Sequence, residues 1–237
     1  MPSSAMKRWW LDEVAHAGDE HLDAGYVAGY DRKAGFDPSE DLDVLGRHGF
    51  GPDSTLVDLG AGTGTFAVAA ARRCRRVIAV DVSASMRAAM LARAESGGIA
   101  NLTVVGAGLL SYEHHGQAAD FVYTRHALHQ IPDFWKAIAL QRIRSVLRPG
   151  GVLRLRDLVF DFDPADADER VEAWMSGAVS DPSVGWTADE LAEHVRGEHS
   201  TYSWLLEAML DRTGFDVVGR TYSRAAYGAY TCIRRDA

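Results

Sequence analysis

Three glycines at alternate positions, Gly60, Gly62 and Gly64, separate a short apolar segment from an alanine-rich one. Glycine has no Cβ, so the backbone can turn sharply here and the N–H groups that begin a following helix can approach a ligand closely. The spacing is G-x-G-x-G, whereas a dinucleotide site uses G-x-G-x-x-G, and Thr65 stands where the third glycine would be needed. The turn therefore predicts a bound ligand without a pyrophosphate group.

A carboxylate at the end of the next apolar segment extends this site. Residues 76–81 predict a buried parallel strand that ends in Asp81, which lies 21 residues after Gly60. A carboxylate at the end of an apolar strand costs free energy unless a donor meets it, and the two hydroxyl groups of a ribose are suitable donors. The sequence therefore predicts the nucleoside-binding half of an α/β fold, made of a strand, the glycine turn, a helix, a second strand and its terminal acid.

Four segments in order carry a resemblance to a known family: residues 57–64, 77–86, 119–129 and 147–153, with the sequences VDLGAGTG, VIAVDVSASM, ADFVYTRHALH and LRPGGVL. With them the chain resembles a class I S-adenosylmethionine-dependent methyltransferase of the small-molecule type, closely over about residues 50–160 and more loosely beyond. The resemblance implies a Rossmann-like, doubly wound α/β fold with a mostly parallel seven-stranded sheet whose last strand is antiparallel. It also implies S-adenosylmethionine as the cofactor and methyl transfer as the reaction.

The resemblance places the cofactor at the residues that follow the strands, where open parallel sheets bind their ligands. Asp58 is expected to orient the glycine turn and the amino end of the cofactor. Val82 and Met86 are expected beside the adenine, although a core position for Met86 is an equal alternative. The acid that many relatives carry after the third strand is absent, which leaves backbone and apolar contacts there. The predicted cofactor-binding residues are Asp58, Gly60, Ala61, Gly62, Gly64, Asp81, Val82, Met86, Ala107, Gly108, Leu109, Thr124 and Arg125.

Catalysis of methyl transfer requires positioning of the nucleophile and, for some acceptors, its deprotonation. His126 is the leading candidate base because it follows the fourth predicted strand and because an imidazole titrates near neutral pH. His129 and Tyr30 complete the predicted catalytic set as groups that orient the substrate. A packing or helix-capping position for His126 is an equal alternative.

No metal site is expected from the sequence. His126 and His129 have a spacing that suits shared ligation on a helix, but no third ligand accompanies them in the sequence. Cys74 and Cys232 are far apart and lack a C-x-x-C partner, so they are interpreted as ordinary thiols.

Charge and hydropathy limit the class of partner. The net charge is −8, and no basic segment exceeds residues 72–76, which disfavours a nucleic acid and favours a small-molecule substrate. With the resemblance, we expect methyl transfer to such a substrate, with a place in specialised metabolism. An RNA-modifying methyltransferase and a non-catalytic S-adenosylmethionine-binding protein remain as alternatives. No apolar run reaches the about 18 residues of a membrane helix, and the N-terminus lacks the layout of a signal peptide, so a cytoplasmic protein without a membrane partner is expected. The oligomeric state stays open, a homodimer included.

The organisation predicted along the chain is a single methyltransferase domain over residues 1–237. Residues 1–48 are expected to form a helical N-terminal cap, 50–160 the cofactor-binding core, 161–200 a helical lid insertion, and 201–237 a C-terminal helix and β-hairpin. Thr187 and Glu190 in the insertion match a capping box at the start of a helix. Cap and lid carry aromatic residues and are expected to enclose the substrate.

Overall fold

One mixed sheet forms the centre of the protein in a computed structural model that describes residues 8–236. Its strands are β1 (Thr55–Leu59), β2 (Arg76–Asp81), β3 (Leu102–Gly106), β4 (Ala119–Arg125), β5 (Leu147–Phe160), β6 (Thr201–Tyr202), β7 (Phe215–Ser223) and β8 (Tyr227–Arg234). They lie in the order β3-β2-β1-β4-β5-β8-β7, and the two-residue β6 pairs with β5 off this path. Strand β8 runs antiparallel to β5 and β7, and all the other pairs of described strands are parallel. The predicted fold class, with an antiparallel last strand, is therefore confirmed.

Helices cover both faces of this sheet. They are α1 (Asp19–Leu22), α2 (Ala24–Ala34), α3 (Ser39–Arg47), α4 (Thr65–Ala71), α5 (Ala84–Ser96), α6 (Asp133–Val146), α7 (Ala167–Met175), α8 (Ala188–Arg196) and α9 (Ser203–Arg212). Two predicted N-terminal caps are confirmed: the Ser83 side chain accepts a hydrogen bond from the Met86 N–H at 3.1 Å, and Thr187 and Glu190 form the capping box of α8. No described helix is long and apolar enough to cross a membrane.

Two apolar layers sandwich the sheet. Alternate residues of a strand point to opposite faces, and all five residues of β1 are buried, so β1 contributes to both layers. One layer packs Leu140 of α6 and Leu206 of α9 against the sheet. The other packs Leu45 of α3 and Phe66 of α4 against the opposite face. Because helices cover both faces, only the ends of the core strands are open to a ligand.

The strand β5 is longer than predicted at both ends. The sequence predicts that Pro149 and the glycines after it end a helix and that the strand begins at Gly151, but pairing of β5 with β4 already begins at Leu147. A register shift between Ala119 and Phe121 of β4 accommodates the Pro-Gly-Gly segment within the ladder. At the other end β5 runs three residues past Asp157, where β6 adds to it, so Asp157 lies inside the sheet rather than at its edge.

The N-terminal helices and the 161–200 segment meet across the strand ends. Lys33 of α2 is buried, forms a hydrogen-bonded ion pair with Glu190 of α8, and places its ammonium 4.5 Å from the centre of the Trp186 ring. The predicted helices of both segments are present, while residues 1–7 of the predicted cap lie outside the described residues.

Candidate active site

A first cavity opens at the carboxyl ends of β1, β2 and β4. It lies between the glycine turn, the start of α5 and the N-terminal segment. Its walls are Glu13, His16, Ala17, His21, Tyr30, Gly60, Gly62, Asp81, Val82, Ser83, Met86, Ala107, Gly108, Leu109, Arg125, His126, Ala127, Gln130 and Ile131. The strand ends predicted to bind the cofactor therefore converge on one cavity.

The glycine turn is built for close approach. Gly60 has a φ of 72°, and a Cβ at this position would come within 2.5 Å of the Ala127 Cβ in the segment after β4. Gly64 has a φ of 80°, and its Cβ would come within 2.4 Å of the Met90 side chain. The N–H groups of Gly60 and Ala61 donate to the Val80 carbonyl at 2.9 and 3.0 Å, which ties the turn to β2. Only glycine fits the first and last positions without strain.

Asp81 links the glycine turn to the segment that begins α5. One carboxylate oxygen accepts a hydrogen bond from the Gly62 N–H and the other from the Ser83 N–H, each at 2.8 Å. Burial raises the pKa of Asp81, and these two hydrogen bonds oppose the rise. Each oxygen keeps a second lone pair, so the carboxylate can accept the two hydroxyl groups of a ribose while it holds the turn.

Asp58 presents a buried oxygen with no partner. Its side chain is 1 % exposed, and its Oδ2 makes no hydrogen bond within residues 8–236. Burial, followed by the charge of Asp81, raises the pKa of Asp58 well above its ordinary value. The carboxyl lies beside Gly60 and Arg125 in a small cleft next to the first cavity. An ammonium group bound there would both pair with the carboxylate and supply the missing donors.

The carboxylate of Glu13 lies beside the segment that follows β3, a segment in which the sequence itself has no acidic residue. This carboxylate accepts hydrogen bonds from the Leu110 N–H at 2.7 Å and the Ser111 hydroxyl at 2.6 Å. It also lies over Gly108, where a Cβ would come within 2.3 Å of the glutamate Oε1. No local pattern around residue 13 indicates this role, because the contact spans 97 residues of sequence.

A second cavity adjoins the first and is bounded by α2, the segment after β4, α8 and the hairpin of β7 and β8. It is lined by His21, Tyr30, Ala34, Glu40, Arg125, His126, His129, Arg156, Asp157, Leu158, Trp186, His194, Thr221, Tyr222, Ser223, Arg224, Tyr227, Gly228 and Ala229. Both cavities share His21, Tyr30, Arg125 and His126. These four residues form the junction between the cavities.

His126 is held in a strained backbone conformation at this junction. Its φ of 50° lies in the left-handed region, and its N–H donates to the Arg156 carbonyl at 2.9 Å. Such strain costs about 1–3 kcal/mol and is typical of functional sites. Burial, followed by the positive charge of Arg125, lowers the pKa of His126 well below its ordinary value. The imidazole is therefore neutral at pH 7.

His129 belongs to a buried polar network. Its Nδ1 bonds an oxygen of Asp157, and its Nε2 lies 3.3 Å from Glu198 Oε2. Burial by itself would lower the pKa of His129, but the charge and hydrogen bond of Asp157 outweigh it and raise that pKa. Burial would raise the pKa of Asp157, and the same pairing lowers it. The pair is therefore an oriented imidazole and carboxylate in the wall of the second cavity.

Comparison with known proteins identifies the fold and a family match over part of the chain. Residues 56–151 match the family described as "Methyltransferase domain". The chain is similar in structure to a magnesium protoporphyrin IX methyltransferase from Synechocystis PCC 6803 solved with bound SAH, with a TM-score of 0.65, 16 % identity, and coverage of 94 % of this chain and 100 % of the other. It is also similar to a SAM-dependent methyltransferase from Aquifex aeolicus, with a TM-score of 0.63, 16 % identity, and coverage of 89 % and 98 %. No curated protein matches the sequence.

Over residues 56–151 the chain is therefore similar to the methyltransferase domain, and its fold is that of S-adenosylmethionine-dependent methyltransferases. The first cavity, with the small cleft beside it, fits S-adenosylmethionine by three features. Asp58 has an unpartnered buried oxygen for an ammonium group, Asp81 has free lone pairs for a diol, and the turn at Gly60 lacks a Cβ where the ligand must pass.

The predicted site residues do not all lie on the cavities. Thr124 is buried, its hydroxyl has no partner within residues 8–236, and it lines neither cavity. Gly64 packs against α5 rather than facing the first cavity. His129 lines the second cavity only. The sequence missed a group of wall residues that come from distant segments and carry no motif: Glu13, His21, Arg156, Arg224 and Tyr227.

Proposed function

We propose that this protein transfers the methyl group of S-adenosylmethionine, bound in the first cavity, to a small-molecule acceptor bound in the second. The observation that carries the proposal is the junction of the two cavities at His21, Tyr30, Arg125 and His126. When bound, S-adenosylmethionine supplies an electrophilic methyl group on a positively charged sulfur. The chain's own residues then have to align the acceptor and remove its proton.

Alignment is the larger task, since holding reactants in line contributes about 7–11 kcal/mol to such reactions. The N-terminal helices and the 161–200 segment enclose the second cavity from two sides, and the ion pair of Lys33 with Glu190 joins them. Tyr30 at the junction keeps its phenol protonated, because burial raises its pKa. Its hydroxyl can therefore orient the acceptor by donating a hydrogen bond.

His126 is the proposed general base. It lies at the junction, and its neutral imidazole has no hydrogen-bond partner within the described residues. A neutral imidazole beside the acceptor can take the proton that the nucleophile loses. His129 is less suited to this role because it does not line the first cavity and because its Nε2 lies against Gln130 and Glu198.

The charges of the second cavity favour an acceptor that bears an anionic group. Three arginines line it: Arg125, Arg156 and Arg224. Arg156 pairs with Asp41 at 3.0 Å, whereas Arg125 and Arg224 form no ion pair within residues 8–236. Arg125 also leaves its buried Nε without a partner. A carboxylate or phosphate on a small acceptor would satisfy these guanidinium groups.

The experiment is transfer of isotope-labelled methyl from S-adenosylmethionine to panels of small carboxylic acids, small neutral and cationic compounds, and RNA. We expect label in the acidic panel. His126→Gln should lower the transfer rate about 100- to 10,000-fold while the affinity for S-adenosylhomocysteine is unchanged. His48→Gln, an exposed histidine in the same chain, is the matched control and should behave as the wild type.

Two outcomes would contradict the proposal. Label in RNA with none in the small molecules would place the substrate in another class. Tight binding of the cofactor with no transfer to any panel would favour a non-catalytic binding protein.

A further inference from the structure

Three metal-ligating side chains converge beside the second cavity: His129, His194 and Glu198, here termed the histidine–glutamate cluster. One donor atom from each lies within 4.8 Å of the others. Their side chains are 4 %, 15 % and 14 % exposed. His129 follows β4, whereas His194 lies in the last turn of α8 and Glu198 just beyond it. The fold thus brings together donors from two distant segments.

Asp157 orients His129, and hydrogen bonds occupy both of its carboxylate oxygens. Its Oδ2 accepts hydrogen bonds from the Leu128 and His129 N–H groups at 2.7 and 3.1 Å. Its Oδ1 accepts from the Leu158 N–H at 2.8 Å and bonds the Nδ1 of His129. With four hydrogen bonds the carboxylate has no lone pair left for an ion. It is therefore an outer carboxylate that fixes the imidazole, as in carboxylate–histidine–metal triads.

The other nitrogen of the fixed imidazole lies between Gln130 and the cluster. His129 Nε2 is 2.9 Å from Gln130 Nε2, which a metal ion would displace, and 3.3 Å from Glu198 Oε2. Bonds of about 2.0–2.1 Å from a tetrahedral zinc ion place neighbouring ligand atoms about 3.3–3.4 Å apart, the same spacing. The Nδ1 of His194 also contacts Glu198 Oε2, at hydrogen-bond distance. An ion between the three would need this last contact to open by about 1 Å or less.

Charge balance also favours a cation. The Glu198 and Asp157 carboxylates are both largely buried and lie against the two nitrogens of the His129 imidazole. Buried charge of this kind is costly unless an opposite charge compensates it. A divalent ion would compensate both carboxylates at once.

We propose that His129, His194 and Glu198 bind one divalent transition-metal ion, with zinc as the ion that suits this ligand set. Two imidazoles and one carboxylate are the ligands of an open zinc site, in which the fourth position is left for water or substrate. His129 and His194 line the second cavity, so the fourth position faces the proposed acceptor. The sequence alone offered no third ligand to the histidines after β4. The tertiary structure supplies His194 and Glu198.

The test is metal binding to the full chain without an affinity tag, after a chelator has removed bound metal. We expect calorimetry to show one Zn²⁺ per chain with a Kd in the micromolar range or tighter. Co²⁺ should give the intense visible absorption of a four-coordinate site. Glu198→Gln and His194→Gln should each weaken Zn²⁺ binding by about 100-fold or more, and Asp157→Asn by about 10- to 100-fold.

Glu193→Gln is the matched control, since Glu193 lies on the same helix but is exposed and pairs only with Arg196 among the described residues. It should bind Zn²⁺ like the wild type. Circular dichroism and affinity for S-adenosylhomocysteine establish that each variant is folded, independently of activity. The proposal is overturned if the wild type binds Zn²⁺ with only millimolar affinity. Wild-type affinity in both Glu198→Gln and His194→Gln would overturn it equally, because the ion would then lie elsewhere.

Discussion

The two cavities of this protein share one edge of the sheet but are assembled in different ways. About half of the wall of the first comes from residues 60–109, where strands, turns and helix starts follow one another in the chain. The wall of the second combines α2, the segment after β4, the 161–200 segment and the hairpin of β7 and β8. The first depends on backbone geometry and the second on side chains brought together by packing. A local motif can therefore indicate the cofactor while it leaves the acceptor undetermined.

The largest expected effect is at the contact where the first cavity meets the segment after β4. Gly60→Ala should lower the free energy of unfolding by about 2–5 kcal/mol, from the left-handed backbone and from overpacking against Ala127. Gly98→Ala is the matched control, because Gly98 has a φ of 64° but nothing within 4 Å of an added Cβ. It should lose only about 1–2 kcal/mol. Urea unfolding measures both, and equal losses would show that the contact with Ala127 is not tight.

The next effect separates the carboxylate that we expect to bind the ribose from an acid elsewhere on the sheet. Asp81→Asn should weaken binding of S-adenosylhomocysteine by about 1–3 kcal/mol, because a charged acceptor of the ribose is lost. Asp120→Asn should leave the affinity unchanged, since Asp120 binds Arg148 and the Thr55 N–H at the opposite end of the strands. Calorimetry on both variants is the measurement. Equal affinities would make Asp81 a structural residue of the turn.

A pH dependence should report on Asp58. The raised pKa of Asp58 means that the carboxyl takes up a proton at a higher pH than an ordinary aspartate does, whereas an ammonium group binds the carboxylate form. Cofactor affinity should therefore fall as the pH falls through that raised pKa, by about tenfold per unit below it. Asp58→Asn should bind more weakly at pH 7 and lose most of this dependence. A wild-type affinity that stays constant from neutral pH down to about pH 4, the pKa of an ordinary aspartate, would place the ammonium elsewhere.

The smallest effect concerns the contact between the two segments that enclose the second cavity. Lys33→Met removes the ion pair with Glu190 and the cation over Trp186, which together contribute about 1 kcal/mol. Hydrogen exchange in residues 161–200 should become about fivefold faster, with cofactor affinity unchanged. Arg196→Gln, which breaks an exposed pair on α8, should leave exchange as it is. Unchanged exchange in Lys33→Met would show that this contact does not hold residues 161–200 in place.

The amino-acid sequence by itself determined the parts of this protein that depend on neighbouring residues. The glycine turn, the caps at Ser83 and Thr187, and the alternation of buried strands and helices follow from backbone sterics and from patterns of burial. From these the fold and the cofactor could be predicted. The length of β5 could not, because strand pairing with β4 overrides the tendency of Pro149 and the following glycines to break the ladder.

Only the tertiary structure decided which side chains from distant segments meet at the two cavities. Glu13 reaches the loop after β3, and His194 and Glu198 reach His129, across gaps of 65 to 97 residues in which no spacing rule applies. Such contacts arise when the helices pack over the strand ends, and that packing depends on burial summed over the whole chain. For the same reason the histidines after β4 gave no metal prediction on their own, although the fold supplies two further ligands to them.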